Sequence, residues 1–125
     1  MHIHHQINYV EFPGCDLEAT QAFFEAVFNF AFEHYGDDYI AFADRGLDGG
    51  FYRAPMSSKA DNGSALLVFY SQDLTTTLTA VEDCGGTIKK TIFAFPGGHR
   101  FHFIEPSGNE FAVWSDCYHE RHPQD

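Results

Sequence analysis

The sequence is poor in basic residues, in long apolar segments and in paired cysteines. It has 7 Lys and Arg against 18 Asp and Glu, which gives a formal net charge of −11. Such a chain repels nucleic-acid phosphates and anionic membrane surfaces, so we expect neither as a partner. No apolar run approaches the roughly 20 residues of a membrane span, and the amino terminus lacks the apolar stretch of a signal peptide. The three cysteines form no CxxC motif, which predicts reduced thiols in a cytoplasmic protein.

Phenylalanine, in contrast, is abundant. The chain has 14 Phe in 125 residues, and hydrophobic residues make up 44% of it. This composition excludes a disordered chain, and the length suits one domain with its own core. We therefore expect a single domain over residues 1–125.

The order of predicted elements occurs twice along the chain. In each half, an apolar strand is followed by an Asp-Leu pair that begins an amphipathic helix, at Asp16 and at Asp73. Three strand-like segments follow each helix. The expected strands are residues 5–12, 31–35, 39–43, 50–53, 65–71, 87–95, 100–105 and 110–115. This repeat predicts two βαβββ modules, over residues 5–55 and 65–116, with a linker at 56–64 and a polar tail at 117–125.

The last strand indicates where a site lies. Alternation places Glu110, Ala112 and Trp114 on one face of the strand, and Phe111 and Val113 on the other. One helix covers one face of each four-stranded sheet and leaves the other bare. We therefore predict an α+β fold in which two βαβββ modules form a curved mixed sheet around a central cleft, a usual place for a small-molecule site.

Several short motifs resemble those of the vicinal oxygen chelate superfamily. They are Asp16-Leu17-Glu18, Phe23-Phe24, Val27-Phe28-Asn29, Gly49-Gly50-Phe51-Tyr52-Arg53 and Glu105-Pro-Ser-Gly-Asn109. The superfamily includes glyoxalase I, extradiol dioxygenases, and fosfomycin- and bleomycin-resistance proteins. The chain is most similar to its small, glyoxalase-like branch, and the resemblance covers about residues 5–116. It implies the paired-module fold, which hosts many different chemistries.

Metal-dependent members of the superfamily hold a divalent cation with a few His, Glu or Gln side chains. The resemblance places those positions at Tyr9, at Gly50 or Phe51, at Leu66 or Leu67, and at Ala112. Tyrosine binds a metal only when deprotonated, and the other residues have no donor side chain. We therefore expect no cofactor. A divalent metal on a different set, His102, Glu110 and Glu11, stays open as the alternative.

Alternation predicts an aromatic cleft with a few polar groups. Its expected lining is Tyr9, Glu11, Tyr52, Arg53, Phe69, His102, Glu110 and Trp114. Arg53 would clamp a carboxylate or phosphate, or would simply lie along the end of its strand. Glu110 beside Trp114 would have a raised pKa and act as a general base, or would be a solvated carboxylate.

These residues favour a metal-free protein that binds a small, partly apolar molecule. A metal-dependent lyase, isomerase or dioxygenase of the glyoxalase type is one alternative. A structural or regulatory module with a vestigial cleft is another. Sheet edges that need cover also predict a homodimer.

Overall fold

The computed structural model describes residues 2–119 and confirms the two βαβββ modules. The first module comprises β1 (Tyr9–Gly14), α1 (Leu17–Phe28), β2 (Phe32–His34), β3 (Tyr39–Arg45) and β4 (Leu47–Arg53). The second comprises β5 (Leu67–Tyr70), α2 (Leu74–Asp83), β6 (Thr87–Phe95), β7 (Gly98–Ile104) and β8 (Glu110–Ser115). A single 3₁₀ turn, Ala60–Asn62, lies in the linker between them. None of the helices in the described part of the chain is long and apolar enough to cross a membrane.

Both helices begin where the sequence predicts. The Asp16 carboxylate accepts from the Ala19 amide at 3.0 Å, and the Asp73 carboxylate accepts from the Thr76 amide at 3.2 Å. Each carboxylate thereby satisfies an amide in the first turn, which has no partner within the helix. α1 ends at Phe28, because the next residue, Asn29, has a left-handed backbone (φ 59°).

The two sheets have the same strand order. It is β1-β4-β3-β2 in the first module and β5-β8-β7-β6 in the second. In each sheet the first strand pairs with the last in parallel and the other pairs are antiparallel, so both sheets are mixed. The α+β class is therefore confirmed, and the described strands form two four-stranded sheets that share no hydrogen-bonded ladder.

The first strand begins at Tyr9 rather than at residue 5. His5 has a left-handed backbone (φ 67°), and the Gln6 amide donates to the Ile3 carbonyl, so this segment turns instead of extending. Apolar and polar residues alternate through this turn as they do in the strand, so the pattern did not reveal where β1 begins.

Phenylalanines on α1 join the two modules into one core. Phe28 stacks on Phe69 of β5 at 4.1 Å between ring centroids, and Phe23 lies 5.7 Å from Phe103 of β7. Offset and tilted ring pairs of this kind add about 0.5–1.5 kcal/mol each beyond the burial of area. Because both sheets pack against this core, their opposite faces point away from it.

The turn between β7 and β8 fastens the second module to the first. The Asn109 side-chain amide donates to the Pro13 carbonyl at 2.7 Å, and the buried Thr20 hydroxyl donates to the Glu105 carboxylate at 2.6 Å. Burial raises the pKa of Glu105, although hydrogen bonds from the Thr20 hydroxyl and the Asn109 amide to its carboxylate oppose the shift. The Glu-Pro-Ser-Gly-Asn motif therefore has a structural role.

Candidate functional site

The bare face of the first sheet is acidic and rich in tyrosine, and we call it the acidic face. It carries Tyr9, Glu11, Glu33, Tyr39, Asp48 and Tyr52, as the strand register requires. The Tyr39 hydroxyl donates to the Glu11 carboxylate at 2.9 Å and also bonds the Tyr9 hydroxyl. Burial raises the pKa of Tyr39, and so do the hydrogen bonds with Tyr9 and Glu11, so the phenol stays neutral. A shallow cavity of ≈ 590 Å³ opens on this face.

The bare face of the second sheet is aromatic and positively charged, and we call it the cationic face. It carries Val68, Tyr70, Phe93, Arg100, His102 and Trp114. The Arg100 guanidinium carbon lies 5.9 Å from the centre of the Phe93 ring and 5.5 Å from that of Phe95. These distances permit cation–π attraction. The face contains a small cavity of ≈ 240 Å³ beside Arg100 and Trp114.

A chain of polar groups lies against this cationic face. His102 Nδ1 lies 3.0 Å from Glu110 Oε2, and Arg100 Nε donates to His102 Nε2 at 3.2 Å. Because Nε2 accepts, Nδ1 carries the proton and donates to the carboxylate, which fixes one neutral tautomer. Burial lowers the pKa of His102; the Glu110 hydrogen bond opposes this, and the Arg100 charge adds to it. His102 is therefore a neutral link between a carboxylate and a guanidinium.

Glu110 is neither a base with a raised pKa nor a solvated carboxylate, the two alternatives that the sequence left open. Burial alone would raise the pKa, but hydrogen bonds from His102, Lys89 and the Ala60 amide outweigh it and lower the pKa to about 2. Lys89 Nζ lies 2.9 Å and the Ala60 nitrogen 3.0 Å from Oε1. Glu110 is thus a buried, fully paired carboxylate, which makes it a poor general base near neutral pH.

Arg53, for which the sequence left open either an anion clamp or a residue along the end of its strand, is bound by groups of its own module. Its Nη2 donates to the Glu18 carboxylate and the Asp37 carbonyl, both at 2.9 Å, and its Nε donates to Asp38 at 3.2 Å. Arg100 is the guanidinium on a bare face, a position that was not among the residues predicted from the sequence. Its alternation with His102 along β7 was the available signal.

The predicted lining divides between three surfaces. Tyr9, Glu11 and Tyr52 share the acidic face, whereas His102, Glu110 and Trp114 belong to the second sheet's bare side. Because both faces point away from the core, one chain presents them as two separate surfaces.

Phe69 is on neither bare face. It pairs with Val113 on the core side of the second sheet. It lines a cavity of ≈ 490 Å³ between the modules, together with Phe24 and Phe28 of α1.

Comparison with known proteins places this geometry in a family. The family model described as the glyoxalase/bleomycin resistance protein/dioxygenase superfamily matches residues 6–113. The chain belongs to this superfamily. No significant match is found among curated proteins.

Several solved structures share the fold of this superfamily member. A glyoxalase-related enzyme from Fulvimarina pelagi is 19% identical, with a TM-score of 0.73 over 89% of this chain and 88% of that one. Lactoylglutathione lyase from Agrobacterium tumefaciens is 20% identical, with a TM-score of 0.67 over 89% and 93%. An integron cassette protein from the mobile metagenome of V. cholerae is 26% identical, with a TM-score of 0.62 over 92% and 97%.

The superfamily's metal positions in this chain do not fit a divalent cation. Of the positions that the resemblance named, Phe51 and Leu67 point into the core, Tyr9, Gly50 and Ala112 lie on the bare faces, and Leu66 directly precedes β5. The Tyr9 phenol is the sole oxygen donor of this set, and phenols bind such ions only when deprotonated. Within residues 2–119, no three His, Cys, Asp or Glu side chains are grouped to hold a metal.

The alternative ligand set is also divided in one chain. His102 and Glu110 bond each other on the second sheet, but Glu11 lies on the acidic face of the first. His102 Nε2, the remaining ring nitrogen, accepts from Arg100. We derive no catalytic step through a metal at this site.

Proposed function

We propose that this protein binds a small, partly apolar molecule without a metal, in clefts formed between two copies of the chain. One observation carries the proposal: each chain has two bare sheet faces that are aromatic, exposed and opposite in charge. Tyr9 on the acidic face is 44% exposed, and Tyr70 on the cationic face is 49% exposed. Exposed apolar surfaces of this kind mark sites of interaction.

The charges support the pairing of unlike faces. The acidic face carries the carboxylates Glu11, Glu33 and Asp48, whereas the cationic face carries Arg100. In a two-fold dimer, the acidic face of one copy meets the cationic face of its partner, and the contact occurs twice. The two clefts would then have aromatic walls from both copies and polar groups of both signs.

A second candidate is an enzyme of the glyoxalase type, either a lyase or isomerase or a dioxygenase. The observation that favours it is the Glu110–His102 pair, because a carboxylate that orients a histidine is a common general-base arrangement. For that role, Arg100 would have to release His102 Nε2. The metal-dependent form of this candidate also lacks the inherited ligands.

The proposal has two direct tests. Light scattering at about tens of micromolar should give the mass of a dimer, since the bare faces need cover. Trp114 is the one tryptophan of the chain and lies on the cationic face, so its fluorescence reports binding there. A panel of small aromatic acids, amides and alcohols should change it. A monomer whose Trp114 responds to none of them would overturn the proposal.

A further inference from the structure

The small cavity on the cationic face combines one cation with aromatic walls. It is lined by Val68, Phe95, Gly97, Arg100 and Trp114 and has a volume of ≈ 240 Å³. Drug-sized ligands occupy cavities of about 300–1,000 Å³, so this one suits a single ring with a short substituent. Its walls are apolar apart from the guanidinium of Arg100. A ligand that fits should therefore be an aromatic ring with one anionic group.

The terminal nitrogens of Arg100 are available to that group. Arg100 Nε donates to His102, which is neutral, and no carboxylate in the described part of the chain forms an ion pair with Arg100. Arg53 and Lys89, by comparison, each bind two carboxylates. Arg45 also has no carboxylate partner among the described residues, but its terminal nitrogens donate to the Asp44 and Asn29 carbonyls. The described residues provide no such acceptor for the terminal nitrogens of Arg100.

The polar chain behind Arg100 fixes its orientation. Glu110 accepts from His102 Nδ1, which leaves Nε2 to accept from Arg100 Nε. Phe93 and Phe95 lie beside the guanidinium. A guanidinium held through Nε keeps Nη1 and Nη2 free, and these two donors match the two oxygens of a carboxylate. A phosphate dianion would call for a second cation, which the cavity lining does not supply.

We propose that this cavity binds aryl carboxylates, with Arg100 as the anchor of the carboxylate and with Trp114 and Phe95 against the ring. His102 and Glu110 are positioning residues that hold Arg100. This inference rests on the proposed function, because it names the ligand class of the same cleft.

The test uses the full-length protein and Trp114 fluorescence with phenylacetate and its neutral isostere phenylacetamide. Phenylacetate should bind roughly ten- to hundredfold more tightly than the amide, as expected for hydrogen bonds to a charged group. Arg100→Gln should remove this difference in affinity. Arg100→Lys should retain part of it, since lysine keeps the positive charge but not the paired guanidinium donors. Circular dichroism of each variant verifies the fold.

Two further variants locate the site and the role of His102. Arg45→Gln removes an arginine at the cavity between the modules and should leave both affinities unchanged. His102→Leu should weaken phenylacetate several-fold without affecting phenylacetamide. His102→Gln, which can still accept from Arg100 and donate to Glu110, should recover the loss.

Each contrary outcome identifies which idea fails. Equal affinities for phenylacetate and phenylacetamide, unchanged in Arg100→Gln, would overturn the carboxylate anchor but leave the proposed function standing. If Arg45→Gln, rather than Arg100→Gln, removes the preference for phenylacetate over phenylacetamide, phenylacetate binds in the cavity between the modules. That result would overturn the inference. Competition by inorganic phosphate at equal concentration would overturn the choice of a carboxylate. If neither probe moves Trp114 fluorescence at millimolar concentration, the inference and the proposed cleft fall together.

Discussion

The acidic face and the cationic face arise from the same topology, but their polar networks differ in burial. On the acidic face, the Tyr9–Tyr39–Glu11 hydrogen bonds lie at an exposed surface. In the second module, the Glu110 side chain is 1% exposed, and it accepts hydrogen bonds from His102, Lys89 and a backbone amide. Repetition of the fold therefore does not repeat the chemistry of its bare faces.

The difference in burial determines how much each network contributes to the stability of the fold. Exposed pairs contribute about 0–1 kcal/mol, because water and mobile side chains offset the attraction. A buried carboxylate must be fully paired, and the loss of one partner leaves an uncompensated charge. We infer that the acidic network mainly arranges a surface, whereas the Glu110 network supports the fold and orients Arg100.

The largest effect should come from truncation of the two carboxylates. Glu110→Ala should lower the free energy of unfolding by about 3–5 kcal/mol, because it leaves His102 Nδ1 and the Ala60 amide without their acceptor and removes one of the two carboxylates of Lys89. Glu11→Ala should lower it by less than about 1 kcal/mol. Urea denaturation of both variants measures the difference, and equal losses would contradict the contrast between the networks.

A somewhat smaller effect is expected from pH. The pKa of Glu110 falls from 4.5 to about 2 in the folded protein. The stabilisation is therefore complete above the unfolded pKa of 4.5 and is lost as the pH falls through the folded pKa. It amounts to at most about 3 kcal/mol, since one pKa unit corresponds to 1.36 kcal/mol.

Denaturation from pH 6 to pH 2 measures this acid loss. Glu110→Gln should be less stable at neutral pH but should lose less stability between about pH 4.5 and 2. His102, with its lowered pKa, adds a loss that begins near its ordinary pKa of 6.5 and has the same sign. His102→Gln separates the two contributions. An acid loss in Glu110→Gln as steep as in the natural chain would rule out the shifted carboxylate.

The elements that the sequence predicted well depend on local chemistry. Asp16 and Asp73 cap helices through amides three residues later, and β6 and β8 occupy the predicted ranges. Helical spacing and alternation are contained in a few consecutive residues, so a single sequence reveals them. The module order followed from these elements and the repeat.

The site could be predicted only in part, because its properties depend on distant partners. The pKa of Glu110 is lowered by His102 on β7, by Lys89 on β6 and by the Ala60 amide in the linker, which the sequence presented as a plain connection. Arg53 and Arg100 look alike in sequence, but one meets carboxylates and the other meets a neutral histidine. No local pattern encodes such pairings.

A charge placed on the cationic face should change the stability of the proposed dimer. Val68 is 43% exposed on that face. Val68→Glu would set a carboxylate against the acidic face of the partner and should weaken dimerisation roughly tenfold, by about 1.4 kcal/mol. Val68→Lys is the matched control, since it removes the same apolar group but adds the favourable charge.

Light scattering over a dilution series gives the dissociation constant of each variant. The order should be natural chain tightest and Val68→Glu weakest, and added salt should bring the two variants together. If the lysine and glutamate variants dissociate equally at low salt, the two faces do not meet across the dimer.

The smallest effect is expected from the addition of divalent metals. A metal titration tests both faces together. The inherited positions offer one phenol, Tyr9, because Gly50, Leu66 and Ala112 provide no donor. Water could replace one missing ligand, but the loss of most of the set removes the coordination energy and the charge that offsets a dication. The chain's net charge of −11 still attracts cations weakly. Calorimetric titration with Zn²⁺, Ni²⁺, Mn²⁺ and Fe²⁺ should therefore show no stoichiometric binding tighter than about micromolar.

The amino-terminal histidines must be removed from this measurement. His2, His4 and His5 can collect metal without a built site, so the titration uses a chain in which all three are alanine. Addition of metal should leave the thermal midpoint of this variant unchanged, because a ligand that binds only the folded state would raise it. Tight binding lost in His102→Ala or Glu110→Ala would instead reveal a metal held between the faces of two copies. The glyoxalase-type enzyme would then be the better interpretation. In a dimer, the acidic face of one copy could bring its Glu11 close to His102 of the other copy, whereas within one chain these two residues lie on separate faces.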